Sequence, residues 1–346
     1  MRAEPSEPEV LPQLDPLDVG RVRSLLAAAA AADGAEAASE DARLALTAPA
    51  RPGLAHVLLR ARGDGTGAGD GTGAGDSTGD GAGDGGGDGG LLGYAQVAAD
   101  PGVSPDAPPG APAAPPGATA ELVVAPSARG AGLGGLLAGA VERTAAATAP
   151  GPLRAWSHAD SPAAAALAAR RGYRRARELW RMARPLGDGA PPLPALAVPE
   201  GVRLRAFRAG RDEEAWLALN ARAFATHPEQ GRWTLADLRA RQGEPWYDPS
   251  GVVLAEDAAD GRLLASHWTK EPGDGTGEVY VVGVDPDAQG RGLGTAVVLA
   301  GLHLLAARGH RLVRLYVEGD SAAARRLYTR LGFEHAGSDV LYERRV

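Results

Sequence analysis

Beyond residue 200 the apolar and polar positions fall into a regular succession of elements. "VRLRAFR" from Val202 has the alternation of a strand, and "RDEEAWLALNARAF" from Arg211 the period of a helix, with acids in its first turn where they suit the helix dipole. "TLADLRARQ" predicts a second helix capped by Thr234. "GVVLAED", "RLLASHWTK" and "EVYVVGVDP" read as three successive strands, the first two joined by a turn at Asp260 and Gly261. A glycine loop follows, then a helix from Thr295 to about Arg308, the strand "RLVRLYVEG", the helix "SAAARRLYTRLG" and a final strand from Phe333. Strands with helices inserted among them predict an α+β sheet domain.

The upstream half repeats part of this order. "LVVAPSARGAGLGGLLAGAVERTAA" has the same strand, proline, glycine loop and helix as "VVGVDPDAQGRGLGTAVVLAGLHLLAARGH". An offset of 160 residues lays Gln289 over Arg129, Gly292 over Gly132, Gly294 over Gly134, Pro286 over Pro126, and "LGF" at 331–333 over "RGY" at 171–173. An internal duplication follows, with two copies of one fold. Its boundary is expected near residue 190, in the Pro-rich "RPLGDGAPPLPALAVPEG", giving domains 1–190 and 191–346. "GDGTGAGDGTGAGDSTGDGAGDGGGDGG" at 63–90 cannot bury a core and is expected to be a disordered insertion in a hairpin, removable with little effect on folding or activity. It lacks the nine-residue period of a calcium repeat. A second loop, "DPGVSPDAPPGAPAAPPGATA", is Pro-rich.

Charge changes the picture little. The net charge of the 346 residues is -7, but the 63–90 insertion alone holds six aspartates and no basic residue, leaving about -1 elsewhere. No basic field for nucleic acid exists. The absence of cysteine excludes disulfides, thiolate nucleophiles and Cys-ligated metals, and no metal is expected. No signal peptide or membrane span is read, so the expected compartment is the cytosol and the expected state a monomer. Of 36 basic residues only Lys270 is a lysine, in a chain loaded with Ala, Gly, Pro and Arg as GC-rich coding would produce. A specific task and a chance surface position are both open for it.

A loop that leaves a strand and opens a helix presents unpaired N–H groups and the positive end of the helix dipole, and glycines at alternate positions let an anion approach closely. It is not a P-loop, because Leu293, Gly294, Thr295 and Ala296 supply no lysine. Nor does it fit a dinucleotide loop, since position 295 is Thr and the next strand follows a different spacing. "QGRGLG" and "RGAGLG" instead fit Gln/Arg-x-x-Gly-x-Gly/Ala, which resembles the pyrophosphate loop of the GCN5-related N-acetyltransferases (GNATs), the family that binds acetyl-CoA.

The resemblance implies two tandem GNAT folds, each a mixed central sheet flanked by helices. With "NARAFATHPEQGRWT", "EPWYDPSGVVLAE" and "LLASHWTK", it extends over nearly the whole chain apart from the low-complexity loops, and is to those tandem members that acetylate the cysteinyl α-amine of a cysteinyl-glucosaminyl-inositol and release CoA. It implies proton removal by Glu278, protonation of the leaving thiolate by Tyr328, and substrate contacts at Glu40, Glu229, Lys270, Glu278 and Tyr316. It implies cofactor contacts at Val282, Gly283, Val284, Gln289, Gly290, Arg291, Gly292, Leu293, Gly294 and Thr295, and at Ser321, Ala322, Ala323, Ala324, Arg325 and Arg326. In the first copy the matching positions are Leu122, Val123, Val124, Gly130, Ala131, Gly132, Leu133, Gly134 and Gly135.

Shifted by 160 residues, Tyr328 falls on Ala168 and Glu278 on Ala118, so the first copy is expected to hold acetyl-CoA, or nothing, without catalysing. Glu121, three positions along, would face the other side of a regular strand. His227 precedes a proline and reads equally as structural. Other readings stay open: a different amine acceptor such as an aminoglycoside, a polyamine or a peptide N-terminus, or a non-catalytic acyl-CoA sensor.

Overall fold

A computed structural model describes residues 4–62, 90–100, 116–149, 151–225 and 230–345, and its contacts divide the chain into two units, one of 1–99 and 118–153, the other of 100–117 and 154–345. His227, Glu229, most of the Gly/Asp insertion and most of the Pro-rich loop lie outside the described residues.

The first unit contains β1 (Glu9–Leu11), α1 (Pro16–Asp33), α2 (Glu40–Ala45), β2 (Leu54–Arg60), β3 (Leu91–Asp100), β4 (Gly117–Val124) and α3 (Leu133–Thr148), with strand order β1-β2-β3-β4. α1 begins where Asp15 accepts the N–H of Asp18 at 2.7 Å and ends at Gly34 in the left-handed region, φ 65°. The Gly/Asp insertion lies between β2 and β3, which pair antiparallel from Leu54↔Ala98 to Arg60↔Leu91, so it does interrupt a hairpin. The core buries Val22, Leu25 and Leu26 of α1 and Ala42 of α2 against Leu58 and Tyr94.

β5 (Pro152–Ser157) leads into the second unit, which continues with α4 (Pro162–Arg170), β6 (Arg174–Pro185), β7 (Val202–Ala206), α5 (Glu213–Ala223), α6 (Leu235–Gln242) and β8 (Val252–Asp257). There follow β9 (Leu263–Lys270), β10 (Thr276–Val284), α7 (Leu293–Ala307), β11 (Leu312–Glu318), α8 (Ala322–Arg330) and β12 (Glu334–Arg345). The elements expected beyond residue 200 all form, with α7 starting two residues earlier than expected. Thr234 caps α6 in a reciprocal box with Asp237.

Strand order in this unit is β5-β12-β6-β11-β10-β9-β8-β7. β6 comes from the first repeat, yet it runs antiparallel to both neighbours, from Leu312↔Pro185 to Glu318↔Leu179 on β11 and from Glu334↔Ala183 to Glu343↔Arg174 on β12. The expected boundary lies in the linker near residue 190, whereas by packing residues 154–185 group with the residues beyond that linker. One face of the sheet packs on α7 and α8 through Val279, Leu315, Met182, Leu302 and Phe333. The other carries Trp268 and Val281 against Trp216, Leu219 and Leu238 of α5 and α6.

The duplication holds element by element: α3 and α7 begin at 133 and 293, β5 and β11 at 152 and 312, α4 and α8 at 162 and 322, and β6 and β12 at 174 and 334.

Candidate active site

β10 and β11 run parallel, and they part early. Glu278 stands opposite Arg314 and Val279 opposite Leu315, after which no residue of β10 pairs with β11, although β11 continues to Glu318. The pairing of β10 with β9 shifts register between Val279 and Val281, a bulge at Tyr280 that bends the strand. The β11-facing edge of β10 from Tyr280 to Val284 is therefore left without a pairing to β11, starting two residues after Glu278.

Beyond that edge the chain enters the glycine loop. Gly290 and Gly292 have φ 80° and 82°, a conformation that side chains with a Cβ rarely adopt, and Gly292 is the N-cap of α7 without any side-chain cap. The N–H groups of Gly290, Arg291, Gly292, Leu293 and Gly294 meet no acceptor among the described residues. A Cβ on Gly290 would meet nothing within 4 Å, and one on Gly292 only the Pro199 ring at 4.0 Å. Five unsatisfied donors in a cleared space fit the pyrophosphate of acetyl-CoA. The loop is held from outside: Arg222 of α5 makes a bidentate pair with Asp285 (3.0 and 3.1 Å), which in turn accepts the N–H of Asp287 at 2.9 Å. The Arg222 bonds hold the Asp285 carboxyl below its ordinary range.

On the α5/α6 face, Lys270 is directly opposite Glu278. Lys270 is 7% exposed, its Nζ 4.5 Å from the centre of the Trp246 ring and 5.0 Å from that of Tyr280. The Tyr280 hydroxyl accepts a hydrogen bond from Arg241 Nε at 2.9 Å, and the Arg241 guanidinium lies 3.9 Å above Trp233. Such packing keeps a cation near aromatic faces with little hydration. Tyr316 of β11 points to the same face, and burial followed by the Glu278 and Asp339 carboxylates pushes its hydroxyl up to about 12. Tyr328 lies on α8, 8% exposed and edge-on to Phe333 with ring centres 5.7 Å apart. Burial raises its pKa above that of an ordinary phenol, so it stays protonated, and its hydroxyl makes no hydrogen bond to a described residue.

The structure thus brings Glu278, Lys270 and Tyr316 onto one sheet face. Glu229 is outside the described residues, and Glu40 opens α2 in the first unit. Ser321 to Arg326 lead into and open α8, where Arg325 stacks on Trp180 at 4.4 Å. Trp246, Tyr280, Arg241 and Trp233 were not singled out in the sequence. Four of the chain's six tryptophans fall between residues 216 and 268, a concentration that could have found them.

The first copy retains the loop but has Ala118 and Ala168 where the second has Glu278 and Tyr328. Gly130 and Gly132 have φ 75° and 80°, and Leu122, Val123 and Val124 lead into them. Its tether is reversed: Arg129 of the loop pairs with Asp33 at the end of α1 (2.6 and 2.8 Å) and donates to the Val124 carbonyl at 3.2 Å. Ala118 and Ala168 are buried. In the second copy the matching positions, Glu278 and Val281, lie on one face because of the bulge at Tyr280. Glu121 turns towards α2 and accepts the Ser39 N–H at 2.7 Å.

The acetyltransferase (GNAT) family matches residues 214–333. A mycothiol acetyltransferase of Thermobispora bispora is 58% identical over 230 residues, 65% of this chain and 75% of that protein. One from Parafrankia sp. is 42% identical over 355 residues, 96% of both chains. Among solved structures, a GCN5-related N-acetyltransferase from Sphaerobacter thermophilus superposes with TM-score 0.66 at 26% identity, covering 98% of this chain and 96% of the other. A tandem GNAT protein from the clavulanic acid biosynthesis pathway superposes with TM-score 0.65 at 22% identity over 99% and 98%, a likeness of fold.

Proposed function

Because the chain belongs to the mycothiol acetyltransferase family, of the tandem GNAT fold, we propose that it moves acetyl from acetyl-CoA to the cysteinyl amine of 1-(cysteinylamino-glucosaminyl)-inositol, the last step of mycothiol synthesis, with the chemistry in the second repeat. The observation that carries this reading is the parting of β10 from β11 one residue after Glu278. It leaves an opening where an extended thioester can meet an amine held on the α5/α6 face.

Acetyl-CoA supplies an activated acyl group as a thioester. The amides of Gly290 to Gly294 hold its pyrophosphate, and the free edge of β10 offers backbone groups to the pantetheine arm. A free α-amine has a pKa of about 8, so part is neutral at pH 7 and Glu278, directly or through one water, need remove only one proton. As the C–N bond forms and the C–S bond breaks, Tyr328 gives its phenolic proton to the leaving thiolate. Lys270 and Tyr316 contact the acceptor, with Glu229 as a further contact. The first repeat keeps a loop of the same geometry but has Ala118 and Ala168 at the two proton-transfer positions, so it binds acetyl-CoA or nothing and does not catalyse.

CoA release, followed by thiol trapping, tests the reading across a panel of amines. The cysteinyl pseudodisaccharide is expected to give the highest kcat/KM; preference for an aminoglycoside, a polyamine or a peptide N-terminus would replace it as substrate.

A further inference from the structure

β6 places residues of the first repeat inside the unit that carries Glu278. On β11, Tyr316 is directly opposite Arg181 of β6, and Arg181 is opposite Gly337 of β12. Directly opposed residues share a sheet face, and Glu278, opposite Arg314, shares it too. A polar row therefore runs across one face from Lys270 and Glu278 through Tyr316 and Arg181 to Asp339, two residues beyond Gly337.

The far end of the row is built. Gly337 leaves room for the guanidinium, since a Cβ there would sit 2.5 Å from Arg181 Nη2. Asp339 is 5% exposed and accepts the N–H of Ala159 at 2.9 Å, with His158 Nδ1 3.2 Å from its other oxygen. Arg181 Nε is 3.5 Å from Asp339, shielded from solvent and without a hydrogen-bond partner among the described residues. Tyr316 has no hydrogen bond from its hydroxyl to a described residue either, although it feels Glu278, Asp339, Arg181 and Arg314. The one-face alternation of donor and acceptor, with a cation and an anion side by side, is unsuited to a phosphate or a carboxylate. It suits a neutral ring bearing several hydroxyls, each of which both donates and accepts.

We propose that Tyr316, Arg181, Asp339 and His158 form a hydroxyl-binding extension of the acceptor site, with Arg181, a residue of the first repeat, as its specificity-determining group. The inference rests on the proposed acetyl transfer to a sugar-linked amine. It gives the non-catalytic repeat a direct part in substrate choice, through one strand.

The test compares two acceptors with the same reacting amine, the cysteinyl pseudodisaccharide and cysteinamide, in the full chain. Wild type is expected to favour the larger acceptor. Arg181→Met is expected to reduce the ratio of the two kcat/KM values about ten- to a hundredfold, with the acetyl-CoA KM and the cysteinamide rate unchanged. Arg181→Lys, which keeps the charge but loses the planar fork, is expected to fall between them and serves as the readout if the Met variant does not fold. A wild type that favours the pseudodisaccharide, with variants that keep the same ratio or lose both rates alike, overturns this inference and leaves the proposed substrate standing. A wild type that does not distinguish the acceptors overturns both.

Discussion

Ala168 and Tyr328 occupy the same place in two copies of one helix. Each is the seventh of nine residues, in α4 and α8, and they are 9% and 8% exposed. The duplication has kept the helix and its burial while only one copy has a phenol, so the proposed division of labour between repeats rests on side chains in a shared frame. Tyr328→Phe is expected to lower kcat by about 10²- to 10⁴-fold, the usual range for a lost proton donor, with the acetyl-CoA KM nearly constant. Its hydroxyl bonds to no described residue, so urea unfolding should change little. A variant with full turnover would remove Tyr328 from the reaction.

Glu278→Gln is expected to lower turnover strongly near pH 7 while acetyl-CoA affinity stays the same. The acceptor amine loses its own proton as pH rises through about 8, so the variant should regain part of the wild-type rate there. Rate profiles from pH 6 to 9 measure this. A deficit that stays constant across the range would assign Glu278 to binding.

The two glycine loops should respond differently to the same change. Gly292→Val puts a β-branched residue at φ 82° beside unpaired amides and should abolish acetyl transfer. Gly132→Val, at φ 80°, should affect stability or ligand occupancy in the first unit and leave kcat unaltered. Equal loss of turnover in two folded variants would show that the repeats are coupled in catalysis.

Much of this frame is legible in the chain because glycine and proline punctuate both copies at one spacing. Pro126 and Pro286 each start a short 3₁₀ turn, and Gly172 and Gly332 both follow a helix with positive φ. The place of β6 is not legible. Period-two alternation tells which residues share a face, but not which strand lies alongside, so the alternation "RRARELWRMARP" is silent about β11 and β12. The bulge at Tyr280 is equally hidden: nothing in "GEVYVVGV" marks one residue as extra, and it reverses the face assigned to everything after it. Lys270 stood out only as the single lysine. Its aromatic neighbours come from a loop and a bulged strand, which no periodicity connects.

His267 offers a pH test of the second core. It is fully buried, with Nδ1 2.9 Å from the Val297 carbonyl, and burial lowers its pKa to about 4. Its ring fills the space that Gly301 leaves, a Cβ at that glycine being 2.2 Å from the imidazole. A folded pKa below the unfolded value of about 6.5 means that the unfolded chain takes up the proton first. The contribution is intact above about pH 6.5 and declines as pH falls towards 4, by about 2 kcal/mol at pH 5. Plotted against pH, the unfolding free energies from urea titrations should fall by about 2 kcal/mol more for wild type than for His267→Gln between pH 7 and pH 5. Parallel curves would refute the assignment.

The central claim is acetyl transfer to a cysteinyl amine. Its most direct measurement is mass spectrometry of the cysteinyl pseudodisaccharide after incubation with acetyl-CoA and enzyme, with the thiol subsequently alkylated. One added acetyl group on nitrogen, with the thiol still free to alkylate, is the predicted product. An unmodified pseudodisaccharide, under conditions where the same enzyme acetylates an aminoglycoside or a polyamine, would contradict the account.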